Sequence, residues 1–360
     1  MAVAASLAAP LLCAAMKTGL VGFSGCGKTT VFNALTGLDA QTGTAATRGR
    51  TNLGTVKVPD ARVDQLAEIY SPKKKTYAEV TFSDVAGGAR GFDRKVLDEM
   101  RPMDALVQVV RAFADPAASQ PVDPGREIQD LESELVLADL ELVETRLNRI
   151  RKEKANPREV ALLERIHAHL DAGRPLRLLE LPADDWALFL SLRFVSQKPL
   201  LLVLNVDEAE VAAPVPASVT ARAAESQVGV VQLSALVEQD IARMSAGDQK
   251  EFVSSLGLSE PAKDRFLHAA YALLDLVSFL TAGPDECRAW PIRRGTTAHK
   301  AAGVIHSDIE RGFIRAEVIR IEDLLALKSE GRCREVGKMR LEGKEYLVQD
   351  GDVVHFRFNV

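Results

Sequence analysis

The 360-residue chain has few cysteines, few aromatic residues and little net charge. Its four cysteines, Cys13, Cys26, Cys287 and Cys333, are scattered without metal-ligand spacing, which argues against a disulfide framework or a zinc site and for a reducing cytoplasm. A formal net charge of −5 gives the whole chain no electrostatic case for nucleic acid. DNA is therefore not an expected partner, and an RNA contact would need a local basic patch. No apolar run reaches the roughly 18 residues that cross a bilayer, so no membrane partner is expected. Residues 1–15 are apolar and alanine-rich, but they lack a basic leader and are too short to span. They read as a disordered extension ahead of a natural start at Met16. A composition of 47% hydrophobic and 26% charged residues is that of a folded chain with two or three domains.

One stretch stands out from this plain background. Gly22-Phe23-Ser24-Gly25-Cys26-Gly27-Lys28-Thr29 spells G-x-x-x-x-G-K-[ST], with a strand pattern over residues 17–21 before it and a helix pattern closed by Gly37 behind it. The glycines let successive amides and a helix N-terminus point at a β-phosphate. Lys28 would lie between the β- and γ-phosphates, and the Thr29 hydroxyl is placed to ligate Mg²⁺. The expected contacts here are Gly22, Ser24, Gly25, Cys26, Gly27, Lys28, Thr29 and Thr30. A thiol set among such amides is expected to have a lowered pKa, which would make Cys26 reactive.

Further elements follow in the order a nucleotide switch requires. Residues 39–50 read as a loop, and Thr44 or Thr47 within it or Thr51 just after it could meet the metal. A strand over residues 76–83 runs into Asp84-Val85-Ala86-Gly87, a D-x-x-G whose Asp84 would support Mg²⁺ and whose Gly87 could sense a γ-phosphate. Continuous apolar runs at residues 105–110 and 200–204 suit buried parallel strands. The second leads into Asn205-Val206-Asp207-Glu208 where GTPases carry N-K-x-D. Glu208 places the carboxylate one methylene further out, which should weaken its paired hydrogen bonds to guanine and favour ATP. Alternatively, Glu208 caps the following helix and never meets the base. Residues 228–233 form a last strand before Ser234-Ala235, where GTPases contact the base through the backbone.

This set resembles the YchF subfamily, the Obg-like ATPases of the translation-factor class. Supporting stretches are Phe32-Asn33-Ala34-Leu35-Thr36, Val58-Pro59-Asp60-Ala61-Arg62, Phe279-Leu280-Thr281-Ala282-Gly283 and the segment from His306 to Glu317. The resemblance implies a cytoplasmic P-loop switch that hydrolyses ATP slowly and associates with the ribosome or its RNA. The alternatives are an ATP-sensing module without turnover, or a GTPase. The chain departs from the family in its switch loop, where anchoring on Asn52 and Gly54 puts Arg48 at the metal-side position, and in the short Gly88-Ala89-Arg90-Gly91 segment. No Gln follows Gly87, as in the family, and no catalytic residue can be named. The oligomeric state is left open.

Between the two buried strands, Ile128, Leu131, Leu135, Ala138 and Leu142 recur at three- and four-residue spacing, continuing through Leu147 and Ile150. Asn156-Pro157 then starts a second helix that ends near Gly173. The pair reads as a coiled-coil hairpin, either a projecting arm or a packed subdomain. At the carboxyl end Val354, Phe356 and Phe358 alternate after Asp350-Gly351, and with Ala298–Ile305 this segment resembles a TGS domain, a β-grasp module that commonly meets RNA or ribosomal partners. His306 and Asp308 lack a nucleophile or metal spacing and read as structural. The expectation is an α/β P-loop NTPase with a mostly parallel sheet. It has a disordered extension over 1–15, a nucleotide domain over 16–120 and 199–280, a helical coiled-coil insertion over 121–198 and a TGS-like β-grasp domain over 281–360.

Overall fold

The computed structural model describes residues 16–38, 40, 52–85, 91–115, 121–152 and 156–359. Within them the chain forms two compact units, one of residues 16–55 with 81–273 and one of residues 56–80 with 274–360. The division departs from the sequence expectation. Residues 56–80 lie with the carboxyl-terminal region, and the helical insertion belongs to the larger unit. The reason is non-local pairing: the short strand Lys74–Thr76 runs parallel to Glu286–Arg293 in the second sheet.

The first sheet has six strands in the order Asn52–Val58, Ala78–Asp84, Lys17–Val21, Ala105–Ala112, Leu200–Val206 and Gly229–Leu233. From Ala78–Asp84 onward every neighbouring pair is parallel. All seven residues of Leu200–Val206 are buried, as expected for a strand covered by helices on both faces. The loops after Val21, Asp84, Ala112, Val206 and Leu233 all leave the carboxyl ends of parallel strands, the edge where open α/β sheets bind ligands.

The long helix Pro124–Lys152 contributes to two cores. Ile128, Leu131, Leu135 and Ala138 pack into the core beside the sheet, with Leu106, Val110 and Leu202. Val143, Leu147 and Ile150 pack instead with Leu163, Ile166 and Leu170 of Pro157–Asp171, and with Phe189 and Phe194 beyond them. The insertion is thus a hairpin with its own apolar filling. Buried Asp139 marks the changeover and accepts hydrogen bonds from the amides of Val195 (3.0 Å) and Ser196 (2.7 Å). Asn156 caps the second helix through Arg158 N at 3.0 Å, with Pro157 in its first turn.

In the smaller unit the strands run in the order Arg340–Glu342, Phe313–Arg320, Asp352–Phe358, Leu276–Thr281, Glu286–Arg293 and Lys74–Thr76. The helix Ala298–Ile305 closes a core of Phe279, Ala301, Phe313, Val354 and Phe356. Phe358 continues the alternation but is 43% exposed. His306 caps the short helix that follows, its Nδ1 accepting from Asp308 N at 3.1 Å, while Asp308 pairs with Arg311. That satisfies both side chains structurally.

Candidate functional site

The glycine loop lies between the central strand Lys17–Val21 and the helix Lys28–Thr36. Two of its glycines are required by space as well as by backbone. A Cβ on Gly22 would stand 2.6 Å from the carbonyl oxygen of Val109, and one on Gly27 would stand 2.3 Å from Asn205 Nδ2. Gly27 also has φ +84°, in the left-handed region. Phe23 anchors the loop from below, its ring 5.4 Å from that of Phe92. Ser24 and Gly25 remain exposed at the crest.

Beneath the loop three side chains converge on Asp84, which is 2% exposed. The Thr29 hydroxyl donates to Asp84 Oδ2 at 3.0 Å, Asn52 Nδ2 lies 3.4 Å from the same oxygen, and Lys28 Nζ stands 3.6 Å from Oδ1. Asp84 Oδ1 is buried without a hydrogen-bond partner among the described residues. A buried carboxylate oxygen that holds no hydrogen bond and only a 3.6 Å ion pair to Lys28, beside the Thr29 hydroxyl, suits a divalent cation and its water. Gly87 and the switch-loop positions Thr44, Thr47, Arg48 and Thr51 lie outside the described residues.

Asn205 joins the loops. Its Nδ2 donates to Cys26 O at 3.1 Å and its Oδ1 accepts from Ala235 N at 3.0 Å, so the glycine loop and Ser234-Ala235 are fixed to one buried amide. One Nδ2 hydrogen remains for a ligand. Val206 and Ser234 are buried beside it, and Thr30 O lies 3.5 Å from Gln239 Nε2. Glu208 is exposed and its side chain has no hydrogen bond or ion pair among the described residues, while the turn Glu208–Glu210 carries no side-chain cap. Asp207 instead accepts from Ala114 N at 3.4 Å.

The structure corrects one expectation and adds two residues. Cys26 is not an activated thiol: it is 2% exposed, and burial pushes its pKa up to about 12 despite the opposing charge of nearby Lys28. Desolvation outweighs the amides and the cation. Phe113 escaped sequence reading, yet its ring carbon lies 3.7 Å from where a Gly27 Cβ would stand. Its only signal was its place just past a parallel strand. Glu127 also escaped. Its Oε2 accepts from Arg111 N at 3.1 Å, burial pushes its pKa up to about 7, and its charge acts on the Cys26 thiol.

The chain is similar in sequence and fold to known proteins. Residues 276–359 match the YchF-GTPase_C family model, described as a protein of unknown function, and residues 17–146 match that of the 50S ribosome-binding GTPase. The ribosome-binding ATPase YchF of Bacillus subtilis (strain 168) is 39% identical over 96% of this chain and 100% of its own length. That of Escherichia coli O157:H7 is 40% identical over 96% of this chain and 99% of its own. The solved structure of the Schizosaccharomyces pombe YchF GTPase is 29% identical, covers 95% of this chain and 97% of its own, and superposes with a TM-score of 0.85.

Proposed function

The chain belongs to the YchF family of P-loop NTPases, and from that footing we propose that it is a cytoplasmic, ribosome-associated triphosphatase that favours ATP over GTP and turns it over slowly. The observation that carries the reading is the convergence of Lys28 and Thr29 on buried Asp84 beneath a loop that only glycines can form. The backbone amides of the glycine loop and of the helix start at Lys28 would bind the phosphates, and Lys28 would supply positive charge at the β/γ bridge. Mg²⁺ fits the Asp84 oxygen that lacks a hydrogen bond: Thr29 and Asp84 would hold it, and it would neutralise phosphate charge when bound.

At the base end, Asn205 has a donor left for a purine N7, and Val206 and Phe113 lie at its edges. Glu208 supports adenine over guanine, since its longer side chain misplaces the carboxylate for two guanine donors and leaving one unpaired costs about 1 to 3 kcal/mol. The GTPase reading has its own support in the description of the fission-yeast relative. Ribosome association rests on the names of the bacterial relatives. Single-turnover phosphate release from Mg-ATP, set beside equilibrium ATP binding, tests the proposal. Release at a rate lost in Lys28→Ala supports a triphosphatase, whereas binding without release identifies a sensor.

A further inference from the structure

The helix Pro124–Lys152 changes charge along its length. Every charged residue over 127–144 is an acid, and every one over 146–152 is a base. A helix C-terminus favours a cation, but the effect is confined to the last turn. It covers Arg149, Arg151 and Lys152, which lie in that turn, but neither Arg146 one turn earlier nor Arg158 in the first turn of the next helix, where the dipole disfavours a cation. The tip is also a built platform. Leu147 and Ile150 are buried up to the final turn of the first helix. Arg146 grips Glu159 at 2.5 Å and Arg158 grips Asp185 at 2.5 Å, which fixes the two helices to each other and to the segment behind them. Arg149, Arg151 and Lys152 stand exposed on this platform, with the amides of Asn148 and Asn156 exposed beside them.

We propose that the basic end of the helical hairpin, Arg149, Arg151 and Lys152, is a docking surface for the phosphate backbone of RNA. Guanidinium forks match phosphate oxygens in pairs, and the neighbouring amides can reach ribose or base edges. A membrane surface fits less well, because it requires an apolar face beside the cations, and none of the exposed large apolar side chains of this insertion, Val122, Leu137, Leu188 and Leu190, belongs to residues 146–158. With the whole chain at −5, the attraction must be local, and the acidic stretch over 127–144 would confine a polyanion to the tip. The proposal deepens the ribosome-association reading by naming its RNA-facing surface.

The test uses the full chain and Arg149→Gln/Arg151→Gln/Lys152→Gln, with Arg149→Lys/Arg151→Lys as the charge-preserving variant. Losing the Arg151–Glu164 pair at 2.9 Å should cost little stability, since both side chains are more than half exposed, and equal ATP binding checks folding. Fluorescence anisotropy with a labelled RNA stem-loop is read over a salt series, and co-sedimentation with purified ribosomes is read in parallel. We expect the triple variant to lose RNA affinity about tenfold or more and the salt slope to fall by about 2 to 3, with the Lys variant retaining most of the slope. Unchanged affinity and slope overturn the proposal. Sedimentation lost with RNA binding retained also overturns it, since the contact would then be an acidic protein. Failure of the wild type to sediment, with the RNA effect present, refutes ribosome association and leaves this surface standing.

Discussion

Gly27→Ala perturbs the site at its tightest point. The residue has φ +84°, and holding alanine there costs about 1 to 2 kcal/mol. The larger effect is steric, because the new methyl would stand 2.3 Å from Asn205 Nδ2. Asn205 must move, and the two buried hydrogen bonds that tie it to Cys26 O and Ala235 N are lost together. Each orphaned partner costs about 1 to 3 kcal/mol, so Gly27→Ala should destabilise the larger unit by roughly 3 to 5 kcal/mol. Asn205→Ala alone orphans the same partners and should cost roughly 2 to 4 kcal/mol. In the double variant there is no amide to displace, and only the backbone term is added. The two costs should therefore fall short of additivity by about 2 kcal/mol. Urea unfolding in a Trp290→Phe background, where Trp186 alone reports the larger unit, measures this. Gly27→Ala costing the same with and without Asn205 would refute the view that this glycine is required by the amide brace.

Lys28→Ala should weaken ATP binding by about 1.5 to 3 kcal/mol through loss of a charge-assisted contact; calorimetry giving unchanged affinity would exclude the P-loop assignment. Glu127 holds its proton more tightly folded than unfolded, its pKa rising from 4.5 to about 7. Its contribution to stability is therefore present below pH 4.5, is lost as pH rises to 7, and amounts to about 3 kcal/mol as an upper value. Glu127→Gln keeps the neutral form, so it should melt well above wild type at pH 8 and close to it near pH 4.5; a gap independent of pH contradicts this. Cys26 should resist alkylation in the folded protein and react on unfolding, as mapped by mass spectrometry; rapid native labelling would contradict its burial.

Local chemistry was legible wherever one residue type has one conformational or chemical use. The G-x-x-x-x-G-K-[ST] spacing located the loop, the apolar runs located the inner strands, and Asn156-Pro157 located a helix start that the structure places at Pro157. The family resemblance and the mostly parallel P-loop fold are both seen. What the sequence hid depends on distance along the chain. Lys74–Thr76 joins a sheet whose partner strand lies some two hundred residues later, so no local pattern marks residues 56–80 as part of that unit. Asn205 reads as a base contact in sequence, and only the fold reveals that it braces two loops. The thiol of Cys26 was misjudged because its neighbours in sequence are amides and a lysine, whereas its neighbours in space bury it.

The most direct test of the central claim is competition binding of Mg-ATP against Mg-GTP, measured on the wild type and on Glu208→Asp. ATP should bind at least as well as GTP to the wild type, and the shorter carboxylate should shift the ratio toward GTP, up to about tenfold for one recovered hydrogen bond. A clear wild-type preference for GTP, or a ratio unmoved by Glu208→Asp, would contradict the account and leave the fold serving a GTPase.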